Sequence, residues 1–205
     1  MTVSAILTAA GKSERMGRPK PLLPWPNGSG SDVPLASYQV AQLKAAGVDD
    51  IIVVLGHRAE EVIPYVKGER VHYVINPDYA AGKTTSVKAG LSAVEPAAEL
   101  VVLLAVDQPR PASIIRRVIA AHRKNGAAVT SPIHGTRGGH PIVFAARLVS
   151  ELKQITEENQ GIREVIERHR SEVHRVPIEE PNVRLDLNTP EDYKAGYDSV
   201  VAKGD

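Results

Sequence analysis

The residues best suited to chemistry follow the first apolar run of the chain, Thr2 to Thr8. That run is typical of a buried strand, and small residues come directly after it, followed by the cations Arg15 and Lys20. Small residues let backbone N–H groups approach an anion closely, and the two side chains add positive charge that backbone dipoles alone do not supply. The segment therefore predicts a loop that binds phosphate groups.

Two well-known phosphate-binding loops are excluded by spacing. A Walker A loop needs a glycine five positions before its second glycine, and Ile6 stands there relative to Gly11. A dinucleotide-binding loop needs glycines where this chain has Ser13 and Met16. On the residues alone, the segment could also be a simple turn from a strand to a helix that carries surface charges.

Asp107 stands at the predicted end of a later strand. It follows Leu100–Val106, an uninterrupted apolar run that is typical of a central strand covered on both faces. Open α/β sheets bind ligands at the carboxyl ends of their strands, so we expect this carboxylate in a site. A structural role as a helix N-cap near Pro111 remains open.

The chain alternates apolar runs with amphipathic stretches, which favours an α/β fold with a mostly parallel sheet. Its 205 residues suffice for one sizeable domain, which we assign to residues 1–205. We predict strands at Val3–Thr8, Asp50–Leu55, Val71–Ile75, Leu100–Val106, Ala127–Ser131, Pro141–Phe144 (antiparallel) and Glu172–Val176, and helices at Leu35–Ala46, Ala59–Val66, Thr84–Val94, Ala112–Arg123, Ile162–His169 and Thr189–Val201. Pro24–Asp32, rich in Gly, Pro and Ser, is predicted to be a mobile loop near the mouth of the site.

Composition excludes several classes of function. Lys plus Arg total 25 and Asp plus Glu total 24, so a net charge of +1 gives no support for nucleic-acid or membrane binding. Cysteine is absent, which excludes disulfides, thiolate metal sites and a cysteine nucleophile. The sequence shows neither a signal-peptide pattern nor an apolar run near the ~18 residues of a membrane span. We expect a cytoplasmic protein.

The segment from Ala9 to Lys20 resembles the A-A-G-x-x-x-R-M-G-x-P-K signature of the MobA/MocA-like nucleotidyltransferases, which include molybdenum-cofactor cytidylyl- and guanylyltransferases. The resemblance implies a three-layer αβα, Rossmann-like fold of the glycosyltransferase-A-like type, with a mostly parallel central sheet. It implies nucleotide binding by Thr8, Ala9, Ala10, Gly11, Arg15, Lys20, Gly82, Ser86 and Asp107, with Arg15, Lys20 and Asp107 as catalytic residues. Charge neutralisation and positioning are the main contributions to such a transfer.

Two further segments match the family in order. Asn76–Leu91 resembles N-x-x-x-x-x-G-x-x-x-S-x-x-x-G-L, and it opens a predicted helix whose free N–H groups could bind the nucleotide. Gly82 would permit close backbone approach and Ser86 would offer a hydroxyl, although Ser86 could also face solvent on a capped helix. Gly138–Phe144 resembles the family's G-x-P-x-x-F stretch on the acceptor side.

The resemblance also implies a Mg²⁺ site. Asp107 occupies the place of the family's D-x-P motif, and Leu185–Tyr193 resembles the late D-I-D-T-P-E-D-L motif. Asp186 matches its first carboxylate and Asn188 replaces the second. Oxygen ligands from one or two carboxylates suit Mg²⁺, so Asp107, Asp186 and Asn188 are the predicted ligands. Asn188 could instead only begin the last helix.

The acceptor side carries one departure from the family. Asn159–Arg163 stands where cytidylyl relatives read G-D-x-G-A-R, so Arg163 is kept while the acidic residue is lost. We expect His140 and Arg163 to contact an anionic acceptor. The evidence for a role of His57, near the presumed base site, is weak.

These matches lead to a functional prediction with open alternatives. We expect a Mg²⁺-dependent transfer of CMP from CTP, favoured over GTP because of Ala10, to a phosphorylated acceptor such as molybdopterin. A molybdoenzyme is a possible partner of the product. The alternatives are another acceptor, such as a sugar phosphate or methylerythritol phosphate, and a non-catalytic protein that delivers a cofactor.

Overall fold

A mostly parallel sheet runs through the protein, whose computed structural model describes residues 2–204. The strands are β1 (Val3–Thr8), β2 (Pro24–Pro26), β3 (Asp32–Pro34), β4 (Asp50–Leu55), β5 (Val71–Ile75), β6 (Leu100–Ala105), β7 (Val129–His134), β8 (Arg137–Gly138), β9 (Ile142–Ala145) and β10 (Val173–Pro177). Within these residues the main sheet has the order β10-β7-β9-β6-β1-β4-β5, with β8 paired to β7. Only β8 and β9 pair antiparallel in it, and the antiparallel direction predicted for the strand after Pro141 is confirmed.

Helices cover both faces of this sheet. They are α1 (Leu35–Ala45), α2 (Ala59–Val62), α3 (Lys83–Ser92), α4 (Ala112–Asn125), α5 (Val149–Leu152), α6 (Ile162–Arg168) and α7 (Pro190–Gly204). One apolar cluster joins one sheet face to α1 and α4, and a second joins the other face to α3, α5 and α6. Because side chains alternate along a strand, Leu7 lies in the first cluster and Ile6 in the second. The three-layer, mostly parallel architecture predicted from the sequence is confirmed.

The prediction of a loop over Pro24–Asp32 holds for residues 27–31 and is wrong at Pro24–Pro26 and Asp32, where strands form; none of these residues lines the cleft described below. β2 pairs with β3, and only the turn between them, around Gly28 and Gly30, is irregular. Trp25 is 1% exposed, with its ring centroid 6.2 Å from those of Tyr38 and Tyr193. Burial of a large aromatic ring stabilises enough to override the local turn signals of Pro and Gly. The hairpin packs on α7, away from the site.

Most predicted boundaries differ from the observed ones by a few residues. The helix predicted over Ala59–Val66 ends at Val62 and continues as a short 3-10 helix, Ile63–Tyr65, because Pro64 has no N–H to donate. Thr189 caps the last helix as predicted, since its hydroxyl accepts the N–H of Asp192 at 3.2 Å. No helix within residues 2–204 is long and apolar enough to cross a membrane.

His122 makes the stability of this fold sensitive to acid. Its ring is 2% exposed between α4 and β7, and Nδ1 lies 2.9 Å from the hydroxyl of Thr130. Burial, with smaller contributions from Arg147 and His174, lowers the pKa of His122 to about 4. A depressed histidine pKa favours the neutral form in the folded state, so stability is complete above the unfolded-state pKa near ~6.5 and is lost as the pH falls toward 4.

We expect the His122→Gln variant to lose this part of the acid sensitivity. The free energy of unfolding of the wild type should fall by about 3 kcal/mol on account of His122 between pH 6.5 and 4, whereas glutamine does not titrate. Urea denaturation at a series of pH values measures both proteins. Equal pH dependence of the two proteins would contradict the assignment.

Candidate active site

A cleft of about 1460 Å³ opens at the carboxyl ends of β1 and β6. Every site residue predicted from the sequence lines it: Thr8, Ala9, Ala10, Gly11, Arg15, Lys20, Gly82, Ser86, Asp107, His140, Arg163, Asp186 and Asn188. The motifs that carry them span most of the chain, so the fold brings them to one place. His57 is not among the lining residues; its ring lies 6.0 Å from that of Tyr79.

The loop after β1 is held by its main chain. The N–H of Ala9 donates to the carbonyl of Val54 at 2.8 Å, and the carbonyl of Ala10 accepts the N–H of His57 at 3.0 Å. Ala10 is 3% exposed, whereas Gly11 is exposed and a side chain there would meet no protein atom within 4 Å. The exposed main chain that can meet a ligand therefore begins at Gly11, although the N–H groups of Met16, Gly17 and Lys20 are already bonded within the loop.

Lys20 and Asp107 form an ion pair at the floor of the cleft. Lys20 Nζ lies 2.7 Å from Asp107 Oδ2, with the two side chains 13% and 24% exposed. The main-chain N–H of Lys20 also donates to the hydroxyl of Ser13 at 3.0 Å. This bond joins the two ends of residues 13–20, which belong to the predicted phosphate loop, residues 9–20. Arg15 is exposed on the same loop and lines the cleft. Lys12, Arg15 and Lys20 of this loop thus all line the cleft, and Lys20 already contacts the predicted metal ligand.

Asp107 is not a helix cap. The helix after it, α4, has Pro111 at its N-cap position and no side-chain cap. The carbonyl of Asp107 instead accepts the N–H of Leu187 at 2.8 Å. That bond joins the loop after β6 to residues 185–188, an irregular segment that we call the strap.

The strap carries the other two predicted metal ligands, Asp186 and Asn188. The N–H of Asn188 donates to Asp192 at 3.2 Å, while its side chain lines the cleft, so Asn188 combines a helix-start role with a place in the site. Residues 2–204 contain no cluster of three or more His, Cys, Asp or Glu side chains that could hold a metal. Two carboxylates and an amide oxygen still fit Mg²⁺, which keeps waters and substrate oxygens as its remaining ligands.

The sequence predicts that the N–H groups at the start of α3 are free to bind a nucleotide, but one of them is already bonded within the protein. Glu157, from the loop before α6, accepts the N–H of Thr84 at 2.7 Å. Gly82 has a φ of 126°, and a side chain there would collide with Glu157. This N–H is thus already satisfied by a carboxylate that sequence reasoning missed, because its contact spans 73 residues of chain.

Ser86 does not face solvent. It is 6% exposed, and its hydroxyl accepts a hydrogen bond from Asn76 Nδ2 at 3.0 Å. Asn76 also accepts the N–H of Asp78 at 3.0 Å and so shapes the turn that leads into α3. Since Ser86 accepts from Asn76, its own proton is free to be donated toward the cleft.

His140 is held neutral. Its Nδ1 lies 3.0 Å from the side-chain amide nitrogen of Gln108, and burial, followed by the charge of Arg110, lowers the pKa of His140 to about 4. At neutral pH the ring can donate a hydrogen bond from Nε2 but supplies no charge. Arg163 is exposed at the cleft wall and is the charged member of the predicted acceptor pair.

Arg110 is a buried cation that sequence reasoning missed. It is 0% exposed and lies between the loops of Asp107 and His140 and the strap. Burial lowers the pKa of Arg110 to about 10, so the guanidinium stays charged at neutral pH. A signal was present in the sequence: an arginine stands between two prolines, three residues after the predicted metal ligand.

The chain matches the model of a known protein family over most of its length. A family model, the MobA-like NTP transferase domain, matches residues 5–173. The chain belongs to the MobA-like NTP transferase family. It is a nucleotidyltransferase, which confirms the family, the enzyme class and the fold predicted from the motifs.

Relatives of this MobA-like transferase match along nearly all of its length. It is 33% identical over 195 residues to the molybdenum cofactor cytidylyltransferase of Escherichia coli K12, covering 93% of each chain. The solved structure of an Rv0371c homologue from Mycobacterium sp. strain JC1 is 32% identical, with a TM-score of 0.82 over 98% of both chains. A manganese complex of Rv0371c from Mycobacterium tuberculosis H37Rv is 26% identical, with a TM-score of 0.78 over 97% of this chain and 100% of that one.

Proposed function

We propose that this nucleotidyltransferase transfers CMP from CTP to a phosphorylated acceptor, molybdopterin, in a Mg²⁺-dependent reaction that releases pyrophosphate. The observation that carries the proposal is the convergence of the Lys20–Asp107 pair and the strap residues Asp186 and Asn188 in one cleft. The similarity to a molybdenum cofactor cytidylyltransferase supports the choice of base and acceptor. The manganese complex of a relative supports the use of a divalent cation.

The chemistry is an in-line displacement at the α-phosphorus of CTP. An oxygen of the acceptor's terminal phosphate forms the new P–O bond, the bond to the bridging oxygen breaks, and pyrophosphate leaves with that electron pair. Lys20 and Arg15 neutralise the triphosphate and the charge that develops on the leaving group. Holding both substrates in one cleft lowers the entropic barrier, and the mechanism needs no protein nucleophile.

Asp107, Asp186 and Asn188 would hold the cation. When bound, Mg²⁺ would supply charge neutralisation and a template for the phosphate oxygens. On the acceptor side, Arg163 provides charge and His140 provides a neutral hydrogen bond. Asn159 and Gln160 stand where the resemblance implies an acidic residue, and this departure keeps other phosphorylated acceptors as alternatives to molybdopterin.

Ala10 sets the base preference in this proposal. Ala10 lines the cleft, is 3% exposed and belongs to the apolar cluster on this side of the sheet, and its carbonyl accepts the N–H of His57. A methyl group in place of a hydrogen leaves less room for a purine. We expect CTP to bind more tightly than GTP, and we expect the Ala10→Gly variant to lose most of that preference.

Isothermal titration of CTP and GTP in the presence of Mg²⁺ measures the preference directly. Ala9→Gly is the matched control, since it removes a methyl group at the neighbouring, equally buried position and should change both affinities alike. Tighter binding of GTP than of CTP to the wild type would refute the choice of base.

A further inference from the structure

Arg110 is buried more completely than any other charged side chain that the structure describes. Within residues 2–202, no Lys, Asp or Glu and no other Arg is buried to this degree. Removing a cation from water costs several kcal/mol, which the nearby carboxylates of Asp186 and Asp107 offset only in part, since the pKa of Arg110 is still lowered to about 10. Its burial therefore calls for a reason beyond packing.

The guanidinium ties together three loops that carry predicted site residues. Nε donates to the carbonyl of His140 at 3.0 Å, and Nη1 donates to the carbonyls of Pro109 and Leu185 at 3.1 and 2.6 Å. Pro109 belongs to the Asp107 loop, and Leu185 directly precedes Asp186 on the strap. One rigid planar group thus sets the spacing of these loops.

The remaining nitrogen has an unusual environment. Nη2 of Arg110 is buried and forms no hydrogen bond, although it lies 3.5 Å from Asp186 Oδ1. An arginine that served only to neutralise Asp186 would form a close, bidentate pair with it. Here Nε and Nη1 of Arg110 donate to main-chain carbonyls. Arg110 therefore fixes the position of Asp186 without forming a close hydrogen bond to its carboxylate oxygens. The Asp186 side chain stays 45% exposed to the cleft.

We propose that Arg110 is a positioning residue that places Asp186 of the strap opposite Asp107, so that both carboxylates are prearranged for a divalent cation. The inference rests on the proposed metal role of these two residues. Asp107 lies on a strand end, whereas Asp186 lies on an irregular segment with few main-chain bonds of its own. The bond from Leu187 to Asp107, the buried side chain of Leu187 and the bond from Asn188 to Asp192 hold the end of the strap that follows Asp186. On the side that precedes Asp186, Arg110 holds the carbonyl of Leu185.

Arg110→Lys tests the positioning role. A lysine keeps the charge, but its three donors share one nitrogen at the end of a flexible chain, so they cannot reproduce the separate, planar positions of Nε and Nη1 that Arg110 uses. Loss of such an outer contact weakens metal affinity by about 10- to 100-fold. We expect the affinity for Mn²⁺, measured by electron paramagnetic resonance without turnover, to fall at least about tenfold in Arg110→Lys.

The control is Arg116→Lys. Arg116 also donates to a main-chain carbonyl, that of Ala45 at 2.6 Å, but it is exposed on α4 and does not line the cleft. This variant should bind Mn²⁺ as the wild type does. Unchanged Mn²⁺ affinity in a folded Arg110→Lys protein would overturn the positioning role.

Two measurements keep the outcome clear. Asp107→Asn and Asp186→Asn in the same series test the metal site itself. If both variants bind Mn²⁺ like the wild type, the proposed metal site is wrong. If both bind Mn²⁺ weakly while Arg110→Lys binds it normally, only the positioning role of Arg110 is refuted.

If Arg110→Lys does not fold, the wild type serves instead. Its protected Arg110 Nε–H resonance should shift on Mg²⁺ titration with the same half-saturation as the Asp107 amide, and an unmoved resonance would count against the inference.

Discussion

The Asp107→Asn variant is expected to lose about 1000-fold in kcat while keeping its fold. The substitution keeps the shape of the side chain and removes the charge that pairs with Lys20 at 2.7 Å and that would hold the cation. A loss of about 4 kcal/mol of transition-state stabilisation corresponds to this factor. The stability should change little, because the pair is partly exposed and such pairs contribute about 1 kcal/mol or less.

The measurement is pyrophosphate release at saturating CTP, acceptor and Mg²⁺, together with circular dichroism and the melting temperature. Asp198→Asn is the matched control, since Asp198 also pairs with a lysine, Lys194 at 2.6 Å, but on the exposed face of α7. It should be fully active. A folded Asp107→Asn enzyme with near-normal kcat would remove Asp107 from the catalytic machinery.

The second large effect is expected for Lys20→Met. Methionine keeps the length and the apolar stem of the side chain and removes the charge that faces the triphosphate. We expect kcat/KM for CTP to fall by about 100- to 1000-fold, the range seen when one preorganised donor is removed from a developing negative charge. Lys20→Arg should recover only part of this activity, because the position is 13% exposed and the larger group cannot reproduce the contact with Asp107.

Initial rates over a range of CTP concentrations give kcat and KM separately. Lys124→Met, on the last turn of α4 and outside the cleft, is the control and should behave as the wild type. If Lys20→Met changes KM alone, Lys20 stabilises the bound substrate and the transition state equally and does not lower the barrier between them. If neither constant changes, the phosphate loop does not neutralise the triphosphate.

Sequence reasoning located the site because its residues stand at strand ends. Thr8 ends β1 and Asp107 follows β6. Because these strands are parallel neighbours in the sheet, both residues lie at the same edge of it. The distant position of Asp186 followed from the resemblance alone. The structure supplied the reason in the bond from Leu187 to the carbonyl of Asp107.

The residues that were missed act through contacts far apart in sequence. Glu157 meets Thr84 across 73 residues, and Arg110 meets Leu185 across 75. Neither contact leaves a periodic or local pattern. The burial of Trp25 is similar, because its partners Tyr193 and Tyr197 lie on the last helix. Local rules for Pro and Gly described the turn correctly and could not show what the flanking residues pack against.

The pyrophosphate-release assay with a panel of different phosphorylated acceptors tests the choice of acceptor. Release of pyrophosphate with a sugar phosphate or methylerythritol phosphate, and none with molybdopterin, would keep the nucleotidyl transfer and replace the acceptor. Tight cofactor binding without any pyrophosphate release would favour a delivery protein that passes the cofactor to a molybdoenzyme.

The most direct measurement is pyrophosphate release with each of the four ribonucleoside triphosphates, Mg²⁺ and molybdopterin, with and without a chelator. We predict release with CTP well above that with GTP, loss of release when the cation is removed, and formation of a diphosphate-linked cytidine product. Release that is independent of the cation, or faster with GTP than with CTP, would contradict the account.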